Sequence, residues 1–99
     1  MSKVVEIVFY KVNEGVTEEQ LIKASDEFEE GFLSLQKGYV GRKLVRDGDT
    51  WSDVAFWDSM EDAMNAVKAV EGSTAAESYD ACIDPTTCTM QHLTVVKSY

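Results

Sequence analysis

Several residue types that anchor specialised chemistry are scarce in this chain: one proline, six glycines, two cysteines and a single histidine in 99 residues. So little proline and glycine excludes collagen-like and low-complexity chains, and 44% hydrophobic with 27% charged residues excludes a disordered one. At this length there is room for one core, so residues 1–99 are read as a single domain. Basic residues are few as well, nine against eighteen acids, for a net charge of −9. A nucleic-acid backbone or an anionic membrane surface would repel such a chain, and neither is expected as a partner. No apolar run is long enough to span a membrane, because Glu6 and Lys11 interrupt the first one. Met1-Ser2-Lys3 lacks a signal-peptide core, so a cytoplasmic protein is expected. Cys82 and Cys88 flank Asp84-Pro85 with no nearby histidine or further cysteine to complete a zinc knuckle. They read as free thiols of a reducing compartment, although a disulfide between them is geometrically conceivable. There is no nucleophile motif, phosphate-binding glycine loop or dinucleotide fingerprint.

What is present is regular. Lys3 to Val12, rich in β-branched and aromatic residues, reads as a strand ending at Asn13-Glu14-Gly15. Thr17-Glu18-Glu19-Gln20 has the form of a capping box, with Val16 and Leu21 as its hydrophobic staple. Leu21, Ala24, Phe28, Phe32 and Leu35 recur at helical spacing, and the acids from Asp26 to Glu30 read as a solvated face. Gly38 is placed as the left-handed cap of that helix. Tyr39 to Arg46 and Thr50 to Trp57 are two strands joined through the tight turn Asp47-Gly48-Asp49. Asp58 or Ser59 caps a second helix with Met60, Ala63, Met64, Val67 and Val70 on its apolar stripe, stopped at Gly72. The Thr74 to Glu77 spacing predicts a short third helix carrying Tyr79, Cys82 and Ile83, and Thr87 to Lys97 reads as the last strand.

The βαββαβ order predicts an α+β, ferredoxin-like domain: a four-stranded antiparallel sheet with helices on one face. In that topology strands one and three are neighbours, strand four flanks strand one, and strand two is an edge. Splitting each strand by its period of two gives Val5, Ile7 and Phe9 against Val4, Glu6, Val8 and Tyr10 in strand one. Strand three gives Val54 and Phe56 against Trp51, Asp53, Ala55 and Trp57; strand four gives Leu93 and Val95 against Met90, His92, Thr94 and Val96. Both rows are largely apolar, so the face without helices calls for a partner, and a homodimer packing sheet on sheet supplies one.

The element order and the segment Asp53-Val54-Ala55-Phe56-Trp57-Asp58-Ser59-Met60-Glu61-Asp62-Ala63 resemble the antibiotic-biosynthesis-monooxygenase type of dimeric α/β barrel. In that family a tryptophan closes strand three just before a helix that begins with acids and alanine. The resemblance implies a homodimer with a ligand cavity between sheet and helices, and an activity such as cofactor-independent, quinone-forming oxygenation or heme degradation. By position Trp57 matches the strand-three tryptophan. Asp53 stands where some quinone-forming members have an asparagine, and Val8 where heme-degrading members have one.

Glu6, Asp53 and His92 are polar residues in otherwise apolar rows of three neighbouring strands, and the sequence leaves open that they meet. A carboxylate beside an imidazole fixes its tautomer and stabilises its protonated form, the pairing a general base near neutral pH requires. His92 is then the candidate base, Asp53 or Glu6 its partner, and Trp57, Tyr79, Tyr10 and Phe28 the wall against a small aromatic substrate. No cofactor or metal is expected: one histidine and two carboxylates imitate a facial triad, but no local spacing supports it. The alternatives are a buried, satisfied histidine, a solvent-facing Glu6 and aromatics that are ordinary core. They describe a non-catalytic small-molecule-binding or stress-related dimer.

Overall fold

A computed structural model describes residues 2–99. Four strands, β1 (Val4–Tyr10), β2 (Tyr39–Asp47), β3 (Thr50–Trp57) and β4 (Thr89–Thr94), form one antiparallel sheet in the order β2-β3-β1-β4. Helix α1 (Glu18–Gly31) follows β1, and α2 (Met60–Ala69) and α3 (Thr74–Cys82) lie between β3 and β4. This is the ferredoxin-like arrangement with a third helix. Among the described residues no helix is long and apolar enough to cross a membrane.

Local chemistry sets the boundaries. Thr17 and Gln20 form a reciprocal capping box at the start of α1. Ser59, rather than Asp58, caps α2 by accepting from the Asp62 N–H. Ser73, rather than Thr74, caps α3 by accepting from Ala76. Gly48 takes the left-handed conformation, φ +62°, that closes the β2–β3 hairpin.

Three expectations need correction. The first helix stops at Gly31 and tightens into a 3-10 turn over Leu33–Leu35. That turn advances the phase, burying Leu33 and leaving Leu35 73% exposed. Gly38 does adopt positive φ, but in the turn entering β2 and not as the cap of α1. The last strand is also shorter than Thr87 to Lys97, because Asp84 and Thr87 close a turn ahead of it.

Register decides which side chains share a face. Glu6 lies opposite Ala55 on β3 and His92 on β4, and Val8 opposite Asp53 and Met90. Arg42 of β2 lies opposite Ala55. Directly opposed residues project to the same side, so Val4, Glu6, Val8 and Tyr10 share the helix-covered face with Trp51, Asp53, Ala55, Trp57 and Arg42. The core under the helices has two lobes. One holds Val4, Phe32, Leu33, Ala55, Trp57, Ala63 and Ala66; the other holds Val8, Tyr10, Leu21, Ala24, Trp51 and Tyr79; and Phe28 packs against both. On the uncovered face Phe9, Val45 and Leu93 are more than 40% exposed, beside half-buried Val5, Ile7, Val54 and Phe56.

Candidate functional site

Between the two lobes is a cavity of about 150 Å³, lined by Glu6, Val8, Phe28, Leu33, Arg42, Asp53, Ala55, Val70, Tyr79, Asp80, Ile83, Cys88 and Met90. A smaller recess of about 60 Å³ adjoins it, sharing Glu6, Phe28, Leu33, Val70 and Met90 and adding Phe32, Trp57, Ala66 and Val67. The walls are mostly apolar; among the polar lining residues Glu6, Arg42 and Asp53 come from the sheet and Tyr79 and Asp80 from α3.

The three candidate acid–base residues do not form one cluster. His92 Nε2 and Glu6 Oε1 are 2.8 Å apart, with both side chains nearly buried. Asp53 is one rung further along the ladder and belongs to another network. Arg42 Nη1 donates to Asp53 Oδ1 at 2.6 Å, and the Tyr79 hydroxyl donates to Asp53 Oδ2 at 2.6 Å. With its one proton committed to Asp53, Tyr79 can only accept from Tyr10, whose hydroxyl it meets in a short contact. Tyr10 is therefore a buried support behind Tyr79 and does not line the cavity. Phe28 and Tyr79 stack with ring centroids 5.4 Å apart, and the Arg42 guanidinium lies 5.5 Å from each ring. Trp57 faces only the smaller recess. His92 lines neither space and reaches the cavity through Glu6.

Burial raises the Asp53 carboxyl above its ordinary value, and Arg42 and Tyr79 draw it part of the way back. Burial also works against the Arg42 charge, but Asp53 and Glu29 outweigh it and hold the guanidinium above its usual range. Tyr79 is raised by burial and by the neighbouring Asp53 carboxylate, and Tyr10 chiefly by burial, so both phenols stay protonated. Among the described residues no group of three or more His, Cys, Asp or Glu side chains is arranged to hold a metal ion. Cys82 and Cys88 are both free thiols.

Arg42 was not among the candidates from sequence, and it organises the site. Its Nε bonds Glu29 at 3.0 Å, and its Nη2 bonds the Ser25 carbonyl at 2.7 Å and hydroxyl at 2.6 Å. Glu29 therefore leaves the solvated acidic face to join this network, where it also accepts from Tyr39 at 2.7 Å. The signal lay in the period-two rows of the hairpin, which place Arg42 on the inward side of β2 beside Ala55 and Asp53.

No family model matches the chain, and no curated protein matches it. Solved structures do. SnoaB, a cofactor-independent oxygenase from Streptomyces nogalater, superposes with a TM-score of 0.75 at 16% identity, over 99% of this chain and 97% of that one. A provisionally assigned antibiotic biosynthesis monooxygenase from Bordetella bronchiseptica gives 0.73 at 14% identity, over 98% and 100%. A dimeric ferredoxin-like protein from an uncultured marine organism gives 0.65 at 15% identity, over 100% and 92%. At these identities the likeness is one of fold. The chain is built on the fold of the antibiotic biosynthesis monooxygenase-like domain.

Proposed function

We propose that the cavity binds a small, single-ring aromatic molecule bearing an ionisable hydroxyl and supports its cofactor-independent oxygenation. The observation that carries this reading is the partly open, mainly apolar space of about 150 Å³ with a carboxylate, Glu6, in its wall. A space of roughly that volume takes a benzene-sized ring. Glu6 is the group placed to accept the phenolic proton, and His92 is a positioning residue that holds it from behind at 2.8 Å. The resulting phenolate gives an electron to dioxygen, the radical pair combines at the ring carbon para to the oxygen, and the hydroperoxide loses water to leave a quinone. One oxygen atom becomes the new carbonyl and the other leaves as water, so the substrate supplies all four electrons. Asp53, with both oxygens engaged, holds the Arg42–Tyr79 wall and does not exchange protons with the ligand.

The open face of the sheet supports a homodimer, since Phe9, Val45 and Leu93 together with the half-buried Val5, Ile7, Val54 and Phe56 form an apolar surface. Two free thiols fit a reducing, cytoplasmic compartment.

The test is oxygen uptake with a panel of para-unsubstituted single-ring phenols. Stoichiometric quinone formation is expected, with Glu6→Gln slower by about 10²-fold or more. Absence of uptake with every phenol refutes the oxygenase reading. A second reading, a non-catalytic ligand-binding dimer, is favoured by one observation: His92 is shut behind Glu6 and does not line the cavity. On that reading phenols bind without oxygen uptake.

A further inference from the structure

The solvent-facing part of the cavity wall is confined to one side. Of the lining residues only Asp80, Cys88 and Met90 are exposed, and they come from the end of α3, the segment just before β4 and β4 itself. The mouth therefore lies between α3 and the edge strand β4. Met90 differs from the other two in lining the smaller recess as well. It lies opposite Val8 in the register, so its side chain is on the helix side of the sheet and away from the face assigned to the dimer.

Five side chains line both spaces and so stand between them: Glu6, Phe28, Leu33, Val70 and Met90. Four of them are held in place. Glu6 is bonded to His92 at 2.8 Å. Phe28 is stacked against Phe32 and Tyr79, with ring centroids 5.6 and 5.4 Å away. Leu33 is 5% exposed. Val70 is β-branched and closes the end of α2, its N–H donating to the Ala66 carbonyl. Met90, unbranched and 49% exposed, is the one member of the partition whose size the core does not fix. The recess of about 60 Å³ is too small to take a ring by itself, but it continues the cavity wherever the partition is thinned.

We propose that Met90 sets the ring count of the ligand: its side chain, between cavity and recess, confines the ligand to one ring, and a shorter residue there admits a second, fused ring. The inference rests on the cavity being the small-phenol site proposed above. Because Glu6 lines both spaces, a ligand whose hydroxyl stays at Glu6 reaches the recess when its second ring is fused beside the hydroxyl-bearing carbon, as in 1-naphthol. Pocket shape discriminates about tenfold or more per methylene of misfit, and relief of that misfit acts on the larger ligand alone.

Calorimetric titration of the purified full chain with phenol and with 1-naphthol, without oxygen so that binding alone is read, tests this in the parent, Met90→Ala and Met90→Leu. Both ligands leave the carbon para to the hydroxyl free, as the proposed oxygenation requires. Met90→Ala is expected to bind 1-naphthol at least fivefold more tightly than the parent does, with phenol within twofold. Met90→Leu, close in volume, should leave both within twofold. A thermal melt checks the fold, and Met90→Thr, a better strand former, provides the same shortening if the alanine variant melts below the assay temperature. A gain for 1-naphthol below fivefold, an equal gain for phenol, or the same gain in Met90→Leu overturns the inference, while phenol binding to the parent leaves the cavity reading standing. If the parent does not bind phenol, the cavity reading fails and the inference with it.

Discussion

Replacing Arg42 by methionine tests whether the buried network is held by charge or merely filled by volume. The Arg42 and Asp53 side chains are 7% and 9% exposed and meet at 2.6 Å. Removing one member of a buried pair typically costs about 3–5 kcal/mol, because the remaining charge is uncompensated. Two features place Arg42→Met at the lower end, about 3 kcal/mol. The Tyr79 hydroxyl still donates to Asp53 at 2.6 Å, and Asp53 can escape its charge by protonation, since burial already raises its carboxyl. For a domain whose total stability is about 5–15 kcal/mol that is a large share. It corresponds to a fall in Tm of roughly 12–24 °C at about 4–8 °C per kcal/mol. The sign of the pH dependence follows from the raised Asp53 carboxyl. A carboxyl raised in the folded state favours folding below its unfolded value of 3.8, and that contribution is lost as pH rises through the folded value. Without Arg42 the folded value rises further, so the deficit of the variant should be largest at neutral pH and shrink on acidification. Adding Asp53→Asn removes the orphaned charge, and the double variant should be more stable than Arg42→Met alone. Urea denaturation at pH 7 and pH 4.5 measures all of this. A single-variant cost below 1 kcal/mol, or a double-variant cost equal to the sum of the singles, refutes the reasoning.

Other substitutions probe different parts of the molecule. Gly38→Ala forces a side chain onto φ +81° and drives its Cβ into the Asp62 carboxylate, so a loss of about 2 kcal/mol is expected. Gly15→Ala, at φ +88° with nothing within 4 Å, should lose less, and equal losses would show that the contact is irrelevant. His92→Ala removes the 2.8 Å partner of Glu6 and is expected to cost about 1.5 kcal/mol in thermal or urea unfolding. The affinity for phenol should stay within twofold, and a large drop would mean that His92 touches the ligand. Phe9→Glu places a charge in the uncovered apolar face, and light scattering should show the proposed dimer dissociating to a folded monomer. An unchanged mass would move the interface elsewhere.

The alternation of β1 and β3 was legible because period two is a property of single strands: the row Glu6, Val8, Tyr10 and the row Asp53, Ala55, Trp57 follow from local sequence. Which members of a row touch depends on register, and register is not local. Glu6 is directly opposite His92, but Asp53 is opposite Val8, one rung away, so two separate polar groupings form where the sequence left a trio open. Arg42 escaped notice for a related reason. A strand arginine reads as a solvent-facing cation until the hairpin register puts it beside a buried aspartate and the helix brings Ser25 and Glu29 over it. Leu35 misled because helical spacing continues through it, while the helix itself ends at Gly31. A Cβ on Gly31 would stand 2.7 Å from that of Ala75, so the approach of the α3 N-terminus fixes a feature that only the packed chain reveals.

The distribution of polarity across the sheet separates the tasks of its two faces. A two-layer domain standing alone would keep its helix-covered side apolar and put its charges on the open side. Here β1 and β3 do the reverse: the outward rows Val5, Ile7, Phe9 and Ser52, Val54, Phe56 carry no charge. The inward rows hold Glu6 and Asp53, with Arg42 and His92 arriving from the flanking strands. Buried polar groups weaken a core unless every one is paired, and the Asp53 network is paired throughout. Paired polar groups beside an unfilled apolar space suit a ligand site, whereas the uncharged outward rows of β1 and β3, with Lys43 of the edge strand β2 beside them, suit association. The helix side therefore carries the proposed ligand site, and the bare side is where the second copy of the proposed dimer would supply the missing layer.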